Sequence, residues 1–344
     1  MPQAVIASST TDRSAVDAER QFEPYRRELT GYCYRMLGSA SESEDAVQET
    51  MIRAWRAFDR FEGRSSVRSW LYRIATNVCL DMLGGAQRRA RPMDLTERGT
   101  VDSPLQQRAE VTWIGPVPDA SVLTNDPEQA AVNRESIKLA FIAMLQHLPP
   151  RQRAVLIMRE VLCWRAEEVA ALLETTVASV NSALQRARAT LGGEHIDLTD
   201  PTPPADARDQ ALLDSYLDAF ERYDMDSLRA LLRDDATMSM PPYDLWLQGR
   251  DEIERWLLGP GAECRDSRLV PVAANGSLAY GQYRRQPDGS YTPWSLMVLE
   301  TDDDGAVVGI NSFLDTARLF PLFGLPPRHP DGAARAAGST TSTE

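Results

Sequence analysis

The chain has 344 residues, 43% hydrophobic and 25% charged, with a net charge of −13: an ordinary globular balance, long enough for two or three domains. No run of ~18 apolar residues occurs, which excludes a membrane-spanning helix; the opening MPQAVIASSTTDRSAVDAER lacks a basic start and apolar core, and reads as a disordered lead-in over 1–19 rather than a signal peptide. Four widely spaced cysteines without a C-x-x-C pair, and three histidines, argue against a zinc site or a disulfide framework and for a reducing, cytoplasmic setting; the sequence asks for no metal and no cofactor.

The acidity is unevenly placed. Residues 1–193 hold 24 basic and 24 acidic side chains, and residues 194–344 hold 13 and 26, so a nucleic-acid surface in the front half is compatible with the total. From Phe22 to Leu37 apolar residues recur at helical spacing, and Gly38-Ser39 ends that helix. Ser41 and Ser43 precede a helix running to Phe58, with Val47, Met51, Ala54, Trp55 and Phe58 on one stripe and Asp45, Gln48, Glu49, Ile52, Arg53 and Arg56 on another. The turn Phe61–Ser66 and a helix over Ser66–Leu83 follow, then Gly84-Gly85 and the basic run Arg88, Arg89, Arg91. Arginines beside aromatics and a hydrogen-bonding loop suit single-stranded DNA, although each residue taken singly is what any surface helix or core displays.

Residues 92–131 carry five prolines and scattered acids with no sustained period, the pattern of a tether. A second helical block follows: a helix to Leu148, a break at Pro149-Pro150, a helix over Gln152–Val161, and a helix-turn-helix pattern with helices Glu167–Leu173 and Ala178–Leu191. In the latter, Val180, Ala183, Leu184, Ala187 and Leu191 face inward. That leaves Ser179, Asn181, Ser182, Gln185, Arg186 and Arg188 for phosphates and base edges. After a Pro-rich connector (193–205) the period changes. Helices at 211–222, 225–232 and 251–258 mix with strands near 236–240, 267–274, 278–285, 294–300 and 306–313, and Pro287-Asp288-Gly289 marks a hairpin.

Two stretches in this order, SESEDAVQETMIRAWRAFDRFEG with SSVRSWLYRIATNVCLDML, and LPPRQRAVLIMREVLCWRAEEVAALLETTVASVNSALQRARATL, resemble regions 2 and 4 of bacterial sigma factors of the extracytoplasmic-function group. The resemblance implies a multidomain chain with two all-α domains, region 2 over 20–91 and region 4 over 132–192. It also implies a non-enzymatic role: binding core RNA polymerase at its clamp and flap, reading the −10 and −35 promoter elements, and helping to melt DNA. By residue, it assigns Asp45, Gln48, Glu49, Ile52 and Arg56 to polymerase. It assigns Arg64, Ser65, Ser66, Arg68, Asn77, Arg88 and Arg89 to the −10 strand, and the six polar residues from Ser179 to Arg188 to the −35 groove. Glu174 stands in the helix-turn-helix turn where the family often has Gly. The segment 92–131 resembles the one that threads toward the polymerase active-site cleft; a plain solvated tether is the alternative.

Residues 206–325 resemble the cone-shaped α+β SnoaL-like fold, and 326–344 read as a disordered tail. Such cones hold an apolar pocket, which Asp235, Tyr243, Asp244 and Trp246 would line. The expectation is that this domain regulates the sigma part through a small ligand or an intramolecular contact. The alternatives are a SnoaL-like isomerase or cyclase fused to a DNA-binding module, and a repressor using only its helix-turn-helix. The Glu44–Arg91 block favours the sigma reading over the last, because a repressor has no need of it.

Overall fold

The computed structural model describes residues 20–84, 88–108, 110–123, 134–191 and 207–330; the expected lead-in, the 193–205 connector and residues 331–344 of the expected tail lie outside them, while the start of that tail is ordered, the Tyr283 hydroxyl donating to the Pro326 carbonyl at 2.8 Å. The chain forms two units, Met1–Arg89 with Ala120–Thr202, and Ala90–Asp119 with Pro203–Glu344.

In the first unit, α1 (Arg26–Leu37) stops where Gly38 turns left-handed at φ 71 and returns its N–H to the Tyr34 carbonyl at 2.7 Å. Helix α2 (Ala40–Ala57) starts at Ser39, whose hydroxyl accepts the Glu42 N–H; it therefore begins earlier than Ser41 and Ser43 suggested. Helix α3 (Val67–Leu83) starts at Ser66, whose Oγ accepts the Ser69 N–H at 3.1 Å. The three bury Leu29, Cys33, Met36, Val47, Ala54, Leu71, Ala75 and Cys79 together.

Further helices among the described residues are α4 (Leu139–Gln146), α5 (Pro150–Leu156), α6 (Ala166–Leu172) and α7 (Val177–Thr190), after a single turn at Asp119–Val122. The helix expected over Gln152–Val161 is regular only to Leu156 and widens into a π-type turn at Ile157–Val161. Between α6 and α7, Glu174 is left-handed at φ 52, the conformation for which Gly is the strain-free residue.

The two helical sets pack closely on each other. One continuous core joins Leu71, Tyr72 and Val78 of α3 to Leu156, Trp164, Val169, Val180 and Leu184. Each set is small, and packing on the other adds to the apolar surface it buries. Two buried arginines cross the seam. Arg153, 3% exposed, donates to the Met36 carbonyl, to Gln146 Oε1 at 2.7 Å and to the Leu148 carbonyl at 3.2 Å. Arg35, 2% exposed, donates to Ser136 Oγ at 2.6 Å. Burial lowers each guanidinium to a pKa of about 10, so both remain charged at neutral pH and must keep their acceptors.

The second unit contains α8 (Ala207–Arg222), α9 (Met225–Leu231), α10 (Arg250–Leu258) and α11 (Thr316–Leu322). Its sheet comprises β1 (Leu232–Ser239), β2 (Trp246–Gln248), β3 (Arg268–Ala274), β4 (Ser277–Arg285), β5 (Tyr291–Thr301) and β6 (Val307–Phe313), in the order β2-β1-β6-β5-β4-β3. Only β1 and β6 pair in parallel. Gly289, at φ 82, makes the expected β4–β5 turn. A second hairpin between β3 and β4 turns on Asn275-Gly276, both at positive φ, an Asn-Gly signal of the primed-turn kind. The helices-then-sheet reading of this region holds.

Its helix-facing side is filled by stacked aromatics. The Tyr216 ring lies 5.9 Å from Phe220 and 5.7 Å from Tyr280. Tyr216 donates to Met297 Sδ at 3.2 Å and Tyr280 to the Leu213 carbonyl at 2.5 Å. Burial pushes the phenols of Tyr223 and Tyr283 up to about 12. In the window between pH 10 and 12 an unfolded tyrosine ionises while these stay neutral, so their contribution is complete below pH 10 and is lost as pH rises through 12.

Two outcomes are expected. Arg153→Ala should lower the stability of the full chain by about 3 kcal/mol in thermal unfolding, since three acceptors lose a charged donor; Arg153→Lys should recover only part, lacking the guanidinium fork. Alkaline unfolding followed by circular dichroism should show a flat baseline to about pH 10 and a fall above it.

Candidate functional site

Helix α2 presents one outward face. Asp45, Gln48 and Arg56 are exposed and Ile52 is 36% exposed. Glu49 is half-buried and takes the Arg53 guanidinium at 2.7 Å. The sequence expectation for this face is met in exposure, with one correction: Trp55, read as part of the apolar stripe, is 51% exposed. Its position one residue past buried Ala54 swings it onto the flank beside Ile52, where it gives the face an apolar centre. A cleft of about 820 Å³ opens alongside, lined among others by Arg27, Glu28, Glu44, Val47 and Gln48.

The loop and α3 bring some of the expected strand-binding residues together and withhold others. Arg64 and Ser66 are exposed, with Arg64 paired to Glu62 and Ser66 engaged in capping; Ser65 is half-buried. Asn77 is exposed on α3 and Arg88 lies beyond its end. Arg68 is instead held by Glu28 through two contacts of 2.9 and 3.1 Å, and Arg89 is buried at 8% exposure against Glu42. Arg88 reaches His147 Nε2 at 2.5 Å. Sequence reading passed over Arg73, one helical turn before Asn77, whose guanidinium lies 2.9 Å from the Glu174 carboxylate.

On α7 the helical period is decisive. Val180, Leu184 and Ala187 are buried, and Ser179, Asn181, Ser182, Gln185, Arg186 and Arg188 are all exposed. Thr176 caps the helix by accepting the Ser179 N–H at 3.1 Å. Arg186 donates to Ser182 Oγ at 2.7 Å, and Arg188 pairs with Glu160 at 2.6 Å. The result is a capped helix with a polar, mildly basic outer face, the form that enters a major groove.

In the second unit the expected pocket residues do other work. Asp235 is exposed and paired with Arg233. Asp244 is buried and accepts Arg108 Nε at 2.8 Å; Trp246 donates its indole N–H to the Thr96 carbonyl at 2.9 Å; Tyr243 faces Gln107 in a backbone bridge. These three hold the segment read as a tether. Residues 90–119 form a strap held first at the β2 edge of the sheet, where Gly99 donates to the Trp246 carbonyl at 2.9 Å and Asp244 N–H to the Gln106 carbonyl at 3.0 Å, and then at the β3–β4 turn of the opposite edge. Val117 and Asn275 exchange bonds of 3.0 and 3.1 Å, and Asp119 accepts the Gly276 N–H at 2.8 Å. The missed signal was polar satisfaction: each proline-broken stretch leaves backbone donors that a sheet edge can take up. Among the described residues no cluster of side chains is suited to a metal ion, and no helix is long and apolar enough to cross a membrane.

The chain matches the family model for Sigma-70 region 2 over residues 21–89 and that for Sigma-70, region 4 over residues 138–191. It is 45% identical to the ECF RNA polymerase sigma factor SigG of Mycobacterium tuberculosis over 319 residues, covering 92% of this chain and 85% of that protein. SigJ of the same organism is 26% identical over 246 residues, covering 70% and 72%. The crystal structure of SigJ superposes with a TM-score of 0.57 at 22% identity, over 89% of this chain and 99% of that one, a likeness of fold.

The strap gives a direct expectation. Asp244→Ala removes the acceptor of Arg108 and should speed tryptic cleavage at Arg98 and Arg108 about tenfold, equivalent to about 1.4 kcal/mol of local stability. An unchanged digestion rate would show that the strap is held by its backbone bonds alone.

Proposed function

This chain belongs to the extracytoplasmic-function RNA polymerase sigma factors, proteins that bind core RNA polymerase and promoter DNA to start transcription, and on that premise we propose how its side chains divide the work. The α2 face of Asp45, Gln48, Glu49, Ile52 and Arg56, with Trp55 added at its centre, grips the polymerase clamp. Arg64, Ser65, Ser66, Asn77 and Arg88 take the −10 strand, joined by Arg68 and Arg89 once their carboxylate partners let go. The outer face of α7 reads the −35 major groove. The observation that carries the polymerase assignment is the exposure of Ile52 and Trp55 on the otherwise polar outer face of α2, since an apolar centre with a polar rim is how protein interfaces are built.

The α+β unit acts as a regulator rather than an enzyme. Stacked Tyr216, Phe220 and Tyr280 occupy the side of the sheet where a substrate would sit, and the carboxylate of Asp244 is committed to Arg108. A carboxylate so paired is a poor general base. Its regulatory contact is the strap: the inter-region segment that would run toward the polymerase cleft is held on this unit instead. The site of action is the cell interior, where polymerase works.

Reconstitution tests the assignment. The full chain added to core polymerase should give run-off transcripts from promoters recovered by sequencing holoenzyme-selected DNA. Trp55→Ala should weaken core binding by about tenfold or more; a chain that never binds core would sink the whole reading. Arg186→Ala should cost about 1–3 kcal/mol at its base pair and relax selection at that −35 position. Asp244→Ala should change transcript yield without changing which promoters are selected.

A further inference from the structure

Three arginines gather where α1 gives way to α2, and their charge is only partly answered. Arg153, 3% exposed, donates to the Met36 carbonyl, to Gln146 Oε1 and to the Leu148 carbonyl, all neutral acceptors. Its Nε is buried with no hydrogen-bond partner among the described residues. Arg89 runs alongside: a Cβ built on Gly38 would meet Arg89 Cδ at 3.1 Å and Gln146 Nε2 at 3.3 Å, so Arg89 and the amide that holds Arg153 flank the same turn. Arg88 is exposed and donates to Nε2 of His147, the residue after Gln146, at 2.5 Å. A ring nitrogen that accepts this bond leaves the imidazole neutral. Burial first, and then the charges of Arg88 and Arg89, hold the Arg153 pKa down to about 10, which places the three guanidiniums within electrostatic reach. Among the described residues the carboxylate that answers them is Glu42, paired with Arg89; neither Arg88 nor Arg153 has an ion pair there.

A buried cation with neutral acceptors and like charges beside it is costly, and an added anion lowers that cost. We propose that this cluster binds a small phosphoryl anion of the diphosphate type, held between Arg88 and Arg89 with Arg153 supplying charge from beneath. Three guanidiniums against one carboxylate leave a positive excess that a multiply charged anion matches, and the guanidinium fork fits phosphoryl oxygens in pairs. The start of α2 adds to the same field. Ser39 caps that 18-residue helix and Glu42 lies in its first turn, so its positive end lies at the cluster. The Glu42 side chain is 40% exposed against 9% for Arg89. It is therefore free to swing into solvent while an anion takes its place on Arg89. Arg88 and Arg89 are the residues assigned above to the −10 strand, so anion and strand would exclude each other. That consequence rests on the strand assignment; the anion site does not.

Isothermal titration calorimetry on the full chain, without DNA or polymerase, tests the site with two probes, inorganic pyrophosphate and ADP. Both should bind with a stoichiometry of one per chain. Arg88→Gln should weaken binding about tenfold, the loss of a charge-assisted bond. Glu42→Gln removes the competing carboxylate and should tighten binding about 2–5-fold, which keeps the test decisive should Arg88→Gln fold poorly. Arg222→Gln, at an exposed arginine of the second unit, should leave both affinities unchanged. Equal affinities for the two probes support a site that reads phosphoryl groups alone; tighter ADP supports a nucleotide as the source. Absence of binding by either probe at millimolar concentration overturns the proposal. So does an Arg88→Gln affinity equal to the parent's, or an equal loss in Arg222→Gln, which would mark general charge attraction. Each of these outcomes leaves the sigma assignment standing, since core polymerase binding is measured separately.

Discussion

The first unit depends on one cation. The Arg153 guanidinium lies buried between the end of α1 and the turn joining α4 to α5, and its donors satisfy the Met36 carbonyl together with Gln146 and Leu148. A charge in that position has no water to fall back on, so the acceptors must be where they are for the unit to close. The surrounding aliphatic core is adaptable; the guanidinium is not. It fixes where region 4 docks on region 2, and Arg35 with Ser136 fixes a second point of the same seam. The geometry of Arg73, Arg68 and Trp164 follows from these two anchors.

Much of the local structure was legible because it is carried by short-range rules. The stop at Gly38, the cap at Ser66, the break at Pro149-Pro150 and the turn at Gly289 each depend on one or two residues and appear where their chemistry puts them. The outward set on α7 followed from the 3.6-residue period alone. Trp55 shows the limit of that reasoning: it sits about 100° round the helix from Ala54, at the border of the apolar stripe, and only packing decides that it lies outside. Helix α11 was missed, having only seven residues and a proline within it.

What sequence did not reveal was association at long range. Regions 2 and 4 each have an apolar stripe, and nothing in either stripe names the other as its cover. Arg73 and Glu174 are 101 positions apart, and Asp244 and Arg108 are 136 apart. A proline-rich acidic segment looks like a tether because it has no period. The strap has none because its order comes from backbone bonds and isolated side chains of Thr96, Arg108 and Val117, not from an amphipathic face. Asp244 and Trp246 were placed in a pocket by the resemblance to a cone-shaped fold, whereas their partners are Arg108 and Thr96 of this chain.

The strap has a consequence in terms of chain length. Its thirty residues, Ala90–Asp119, directly follow the region 2 match, which ends at Arg89, and lie before the region 4 match, which begins at Lys138. Fully extended, they would span about 100 Å. Docked on the sheet edge, they contribute no slack. On the proposed reading, how much of this segment stays on the sheet determines how much of that length is in reserve between regions 2 and 4.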